Sequence, residues 1–179
     1  MLGSPGVGKS SMKIRFVLNQ FIENYDPPIE DNYVKQVKID GTLFMVEVLD
    51  PTGGEECSPM RDYCVNSSFG SLIIYSIDSK RSLDEVNFYR ELILRIKDLD
   101  QFPIVLCGNR CDLESRRECS TEEGRDLAIL WGTPFFETSA TVGTNVEESF
   151  FALVREINQW NSVKSAPTQK KRGGGCQIL

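Results

Sequence analysis

The chain has 179 residues, 40% apolar and 26% charged, with a formal charge of −6 and no histidine; that is enough for one domain with a real core. The acidic balance excludes a broad nucleic-acid-binding face, and the absence of imidazole excludes serine–histidine–aspartate hydrolysis and histidine proton transfer or metal ligation. No apolar run reaches the ~18 residues of a membrane helix, and the start lacks a secretory layout. The expectation is a cytosolic protein with reduced thiols, because Cys57, Cys64, Cys107, Cys111, Cys119 and Cys176 follow no disulfide or zinc spacing.

In chain order, the first signal is GSPGVGKS at 3–10, which satisfies G-x-x-x-x-G-K-S. Such a loop curls its backbone N–H groups around phosphates and leads into a helix whose N-terminus points its dipole at them. Lys9 is then a point charge for the terminal phosphates, and Ser10 offers a hydroxyl to Mg2+. Tyr33 to Leu49 reads as two β-rich runs joined by Asp40-Gly41, a hairpin at one sheet edge. DPTGGEE at 50–56 has the D-x-x-G form of a phosphate-sensing turn.

From residue 71 the pattern alternates: SLIIYSI (71–77), a helical stretch to Asp98, PIVLCG (103–108), a helix to Trp131, PFFETS (134–139) and a last helix to Trp160. Alternation predicts an α/β fold with a mostly parallel sheet, one antiparallel edge strand and helices on both faces. Capping boxes are expected at Ser82 with Glu85, Ser120 with Glu123 and Thr144 with Glu147. Residues 1–160 form the domain, and 161–179 form a basic tail expected to be disordered.

Two later loops follow strands, where ligands bind in open α/β sheets. In GNRCDL (108–113) the carboxylate of Asp112 accepts two N–H donors from a guanine edge, a pair adenine cannot supply. Asn109 is placed to bond the base and brace the phosphate loop, and the stem of Arg110 to lie on the purine face. In ETSAT (137–141) the N–H near Ala140 is aimed at the guanine carbonyl.

These motifs, in this order, resemble the Ras-type small GTPases of the Ras and Rap branch, over nearly all of residues 3–179. The resemblance implies a P-loop GTPase domain that binds GTP or GDP with Mg2+ and signals through effectors, exchange factors and activating proteins. It assigns nucleotide contacts to Gly3, Ser4, Pro5, Gly6, Val7, Gly8, Lys9, Ser10, Ser11 and Phe21. Further contacts fall on Asp50, Pro51, Thr52, Gly53 and Gly54, on Asn109, Arg110, Asp112 and Leu113, and on Ser139, Ala140 and Thr141. Mg2+ falls to Ser10 and, through water, Asp50. NYDPPIEDNY (24–33) resembles switch I and the effector segment, assigning Tyr25, Asp26, Pro27, Pro28, Ile29, Glu30, Asp31, Asn32 and Tyr33 to a basic effector domain that docks by strand addition.

Several residues depart from the family pattern. Pro28 stands where a switch I threonine supplies a hydroxyl to Mg2+ and an N–H to the γ-phosphate, and Pro can provide neither. Gly54 stands in the slot of the glutamine that orients the attacking water, leaving Lys9 as the remaining catalytic charge. Pro5 replaces a glycine of the phosphate loop, near the route of an activator's arginine, and Thr141 replaces a lysine behind the base. The expectation is slow hydrolysis, poorly stimulated. The family's first central strand is reduced here to Met1 and Leu2, which predicts unpaired backbone along both neighbours.

The C-terminal Cys176-Gln177-Ile178-Leu179 has the C-a-a-X form, whose leucine directs geranylgeranyl attachment to Cys176. Lys164, Lys170, Lys171 and Arg172 supply the second, electrostatic signal for the anionic inner leaflet of a membrane. The leading reading is a lipid-anchored GTP/GDP switch. The alternative is a membrane-attached scaffold whose loops no longer respond to nucleotide.

Overall fold

A computed structural model describes residues 1–21, 33–51 and 58–165. The predicted contacts at 52–54, the effector residues 25–32 and Cys176 lie outside these described residues. In chain order the elements are α1 (Lys9–Leu18), β1 (Tyr33–Ile39), β2 (Thr42–Val48), α2 (Ser58–Ser67), β3 (Ser71–Ser76), α3 (Lys80–Asp84) and α4 (Val86–Lys97). They are followed by β4 (Ile104–Asn109), a short 3-10 turn, α5 (Thr121–Trp131), β5 (Phe135–Glu137) and α6 (Val146–Ser165).

β3, β4 and β5 form a parallel sheet in that order, with Leu72 opposite Val105 and Leu106 opposite Phe135. Every residue of β3 and β4 is buried, which is why both read as unbroken apolar runs. Strand alternation sends Leu72 and Ile74 into one core with Met12, Phe16 and Phe150, and Ile73 and Tyr75 into a second with Ile93 and Ala128. Helices therefore cover both faces, as the alternation predicts.

β1 and β2 pair antiparallel through the expected turn, where Asp40 and Gly41 both take positive φ, 50° and 85°. This hairpin is a separate two-stranded sheet. The expected loss of the first central strand is corrected in part: Leu2 makes a parallel bridge to Ile73, donating to Leu72 O (2.9 Å) and accepting from Ile74 N (2.8 Å). The Met1 amine donates to Leu49 O (2.7 Å). Beyond these residues β2 and β3 part around a cavity of about 450 Å3, with Val46, Val48, Phe69, Leu72, Leu153 and Ile157 among its walls.

The hairpin is held instead by its inner face. Val37, Ile39 and Val48 pack in the core with Phe16 and Phe150, whose rings stack at 4.0 Å. Lys35 reaches Phe16 O (2.6 Å) and Glu147 (3.2 Å), while Arg155 grips Asp40 with two bonds of 2.8 Å.

Three local expectations change. The stretch to Asp98 is two helices, and the first is capped by Ser79, because the Ser82 hydroxyl is buried and donates to Ser79 O (2.7 Å) while accepting from Ser76 N (3.0 Å). Ser120 and Glu123 do form the reciprocal box. At α6 the Thr144–Glu147 box gives way to Asn145, whose amide donates to Glu137 O (2.8 Å), while Glu147 turns to Lys35. α6 also runs to Ser165, past the predicted end at Trp160.

Candidate functional site

The loop 3–8 joins the Leu2 bridge to α1, and its turns use positive φ at Gly3, Gly6 and Gly8. Two of these glycines are fixed by contact as well as angle. A Cβ on Gly3 would stand 2.0 Å from Ile74 O, and one on Gly8 would stand 2.4 Å from Asn109 Nδ2. The second closeness has a purpose, since Asn109 Nδ2 donates to Val7 O (2.8 Å) and Asn109 Oδ1 accepts from Thr138 Oγ1 (3.2 Å). One buried amide thus ties the phosphate loop, the end of β4 and the segment after β5 together, the bracing role predicted from sequence.

Lys9 folds back over its own loop, donating to Gly3 O (2.8 Å) and Ser4 O (2.9 Å). Burial pulls its pKa below the ordinary lysine value, and the Asp50 carboxylate works in the opposite direction. An ammonium resting on two loop carbonyls is placed to exchange those weak acceptors for phosphate oxygens. Ser4 donates to Glu85 (2.5 Å), and that hydroxyl, with Arg81 beside it, holds the Glu85 carboxyl below the usual range. Pro5 and Gly6 are exposed at the loop's rim, and Ser11 is half-buried at the head of α1.

Ser10 and Asp50, predicted to share a metal, stand together: Ser10 Oγ donates to Asp50 Oδ2 at 2.9 Å. A hydroxyl and a carboxylate are hard oxygen donors, the set a Mg2+ ion takes when phosphates and waters complete its shell, so these residues fit the ion. The same Oδ2 lies 3.8 Å from Lys13 Nζ, and both side chains are buried.

The base-side loops are also assembled. Asp112 is exposed at the end of β4, free of the core and open to a ligand's N–H donors. Ser139 and Ala140 are buried and Thr141 is exposed; Arg15 of α1 fastens this loop from behind, with Nε donating to Ala140 O (2.7 Å) and its guanidinium also reaching Thr141 O. Arg110, at a φ of 64°, directs its guanidinium to Gly6 O (2.6 Å) and Asp78 (3.3 Å). It links the base loop to the phosphate loop in addition to offering its stem. Leu113 is half-buried, and Phe21 is 40% exposed. Pro51 also borders the cavity between the sheets.

Sequence reasoning missed Lys13 and Arg15, read Glu85 only as a cap for Ser82 and gave Thr138 no role of its own. The two cations sit in a helix whose polar positions read as a solvated face, and no motif spacing marks them; Thr138 lies inside PFFETS beside the residues that were singled out.

The sequence model of the Ras family matches residues 1–159. The chain is 48% identical to the Ras-like protein rasC of Dictyostelium discoideum, with all of this chain and 96% of that protein aligned. It is 43% identical to the Ras-like protein rasB of the same organism, over all of this chain and 95% of that one. With the phosphate loop, the Ser10–Asp50 pair and the Asn109 brace in one place, the conclusion is that this chain belongs to the Ras family of small GTPases, GTP-binding signalling switches with a P-loop α/β domain.

Proposed function

We propose that the chain is a slow, lipid-anchored member of this family. GTP binding acts through the segments at 25–33 and 50–62, the effector then docks at the edge of β1 with Glu30, Asp31 and Tyr33 as its contacts, and hydrolysis releases it slowly. The observation that carries the nucleotide reading is the Asn109 amide joining Val7 O to Thr138, because it couples a base-reading loop to a phosphate loop.

Each residue has a separate task. The loop amides and Lys9 bind and neutralise the phosphates, Asp112 selects the guanine edge, and Ala140 meets its carbonyl. Ser10 and Asp50 would hold Mg2+, which supplies neutralising charge to the β- and γ-phosphates. Slow hydrolysis follows from Gly54, which has no side chain to orient water, from Pro28, which has no N–H or hydroxyl for the γ-phosphate, and from Pro5, whose ring stands near an activator's approach.

Anchoring is read from Cys176, with Lys164, Lys170, Lys171 and Arg172 beside a cytoplasmic leaflet. A fluorescent Cys176→Ser variant is expected to leave the membrane for the cytosol; retention at the membrane contradicts this part.

The deciding experiment is single-turnover hydrolysis of bound GTP, alone and with a Ras-type activating protein, alongside pull-down on a basic Ras-binding domain loaded with GDP or GTP. Slow turnover with GTP-dependent capture is expected. Turnover as fast as in ordinary family members overturns the impairment, and equal capture in both nucleotide states replaces the switch with a nucleotide-uncoupled scaffold.

A further inference from the structure

Asp50 is a buried acid approached from one helix by two side chains. Ser10 Oγ lies 2.9 Å from its Oδ2 and Lys13 Nζ, one turn later on α1, lies 3.8 Å from the same oxygen. Lys13 is 6% exposed, and its ammonium also stands 5.2 Å from the centre of the Tyr33 ring. Among the described residues, Lys9 and the Met1 amine also feel this carboxylate. A buried ammonium is costly unless an acid answers it, and here the acid that answers it is the one expected to reach the divalent ion.

We propose that Lys13 is an internal counter-ion that competes with Mg2+ for Asp50. The inference rests on the nucleotide-site reading given above. With the metal absent, the ammonium neutralises a carboxylate that would otherwise repel the phosphates. With the metal held by Ser10 and, through water, by Asp50, a positive charge within 4 Å of this carboxylate would oppose it in a poorly solvated site, where charge–charge effects are several-fold stronger than in water. The chain therefore binds Mg2+ weakly and holds its nucleotide well when Mg2+ is stripped. Lys13 acts through Asp50 and is a positioning residue.

The test uses the full chain loaded with the fluorescent nucleotide methylanthraniloyl-GDP, as wild type, Lys13→Met and Lys13→Arg. Nucleotide release is followed across free Mg2+ concentrations set with MgCl2 and EDTA. Lys13→Met is expected to bind Mg2+ at least roughly tenfold more tightly and to lose nucleotide at least roughly fivefold faster in EDTA, since it removes one close charge in a low-dielectric site. Lys13→Arg keeps the charge and is expected to follow wild type. Equal Mg2+ affinity and equal EDTA response in wild type and Lys13→Met overturn the proposal, as does Lys13→Arg behaving like Lys13→Met, which marks a packing role. If Lys13→Met does not fold, the unmutated protein decides: the Lys13 Cε resonance, assigned from the arginine variant, moves when MgCl2 is added to the GDP-bound chain, and a stationary resonance overturns it. A folded chain that binds no fluorescent GDP removes the nucleotide-site reading and the proposal with it, a result distinct from all the others.

Discussion

Asn109 concentrates more of the site than any other single side chain. Its amide is 1% exposed, donates to Val7 O and accepts from Thr138 Oγ1. Asn109→Ala takes a donor from the buried Val7 carbonyl, worth about 1–3 kcal/mol when left unsatisfied, and leaves the Thr138 hydroxyl only the weak Met12 sulfur as acceptor. The expected outcome is a loss of about 2 kcal/mol or more in urea unfolding, with a weaker fluorescent-GDP affinity that exceeds any effect of a surface Asn→Ala change. At this scale the sequence was most legible at Asn109, whose brace on the phosphate loop is present, and in the meeting of Ser10 with Asp50. It was silent on Lys13 and Arg15, because a lysine or arginine on a helix reads as solvated until the partner from a distant loop is known. Arg15 meets its acceptors 125 and 126 residues away.

The elements were legible to the extent that their boundaries are decided locally. Ser120 caps α5 with its hydroxyl on Glu123 N (3.2 Å) and receives the Glu123 carboxylate on its own N–H (2.8 Å), a pairing visible in the string alone. Ser120→Ala removes one side of it and is expected to lower stability by about 1 kcal/mol, read as a shift in denaturation midpoint without a change in slope. The same pattern at Ser82 misled because that hydroxyl lies 2% exposed between β3 and α3, where burial demands partners that a surface cap does not. α6 outruns its predicted end because the polar composition after Trp160 does not stop a helix, and NSVKS contains neither Gly nor Pro. Pro167, which disfavours helix in the residue before it, is the first true breaker.

At the scale of the molecule the parallel β3-β4-β5 sheet and its helices were readable from alternation alone, and the two-piece sheet was not. The sequence predicted unpaired edges; it did not predict that Leu2 would bridge β3 while the Met1 amine reached Leu49, the residue after β2. Residues of a strand alternate the direction of their N–H and C=O groups. Leu72 O and Leu49 O both accept from the first two residues, and residues of β2 and β3 line the cavity of about 450 Å3 beside them. An engineered chain with six apolar β-formers placed ahead of Met1 is expected to fill that space. Each buried aliphatic contributes about 1.5–3 kcal/mol against about 1–2 kcal/mol of backbone ordering. The net gain, on the order of a few kcal/mol, should appear as a higher urea midpoint and a steeper slope; an unchanged midpoint counts against it.

Because, among the described residues, the hairpin is fastened by side chains and the single Met1–Leu49 bond and not by a backbone ladder, it is expected to open as a leaf hinged on α1 and α6. Deuterium should enter the outward amides of Met45 and Glu47 well before those of Ile73 or Leu106. A protein that grips the rim of β1 would then pull on a movable page, and the strain would travel through Lys35 and Arg155 into the long last helix.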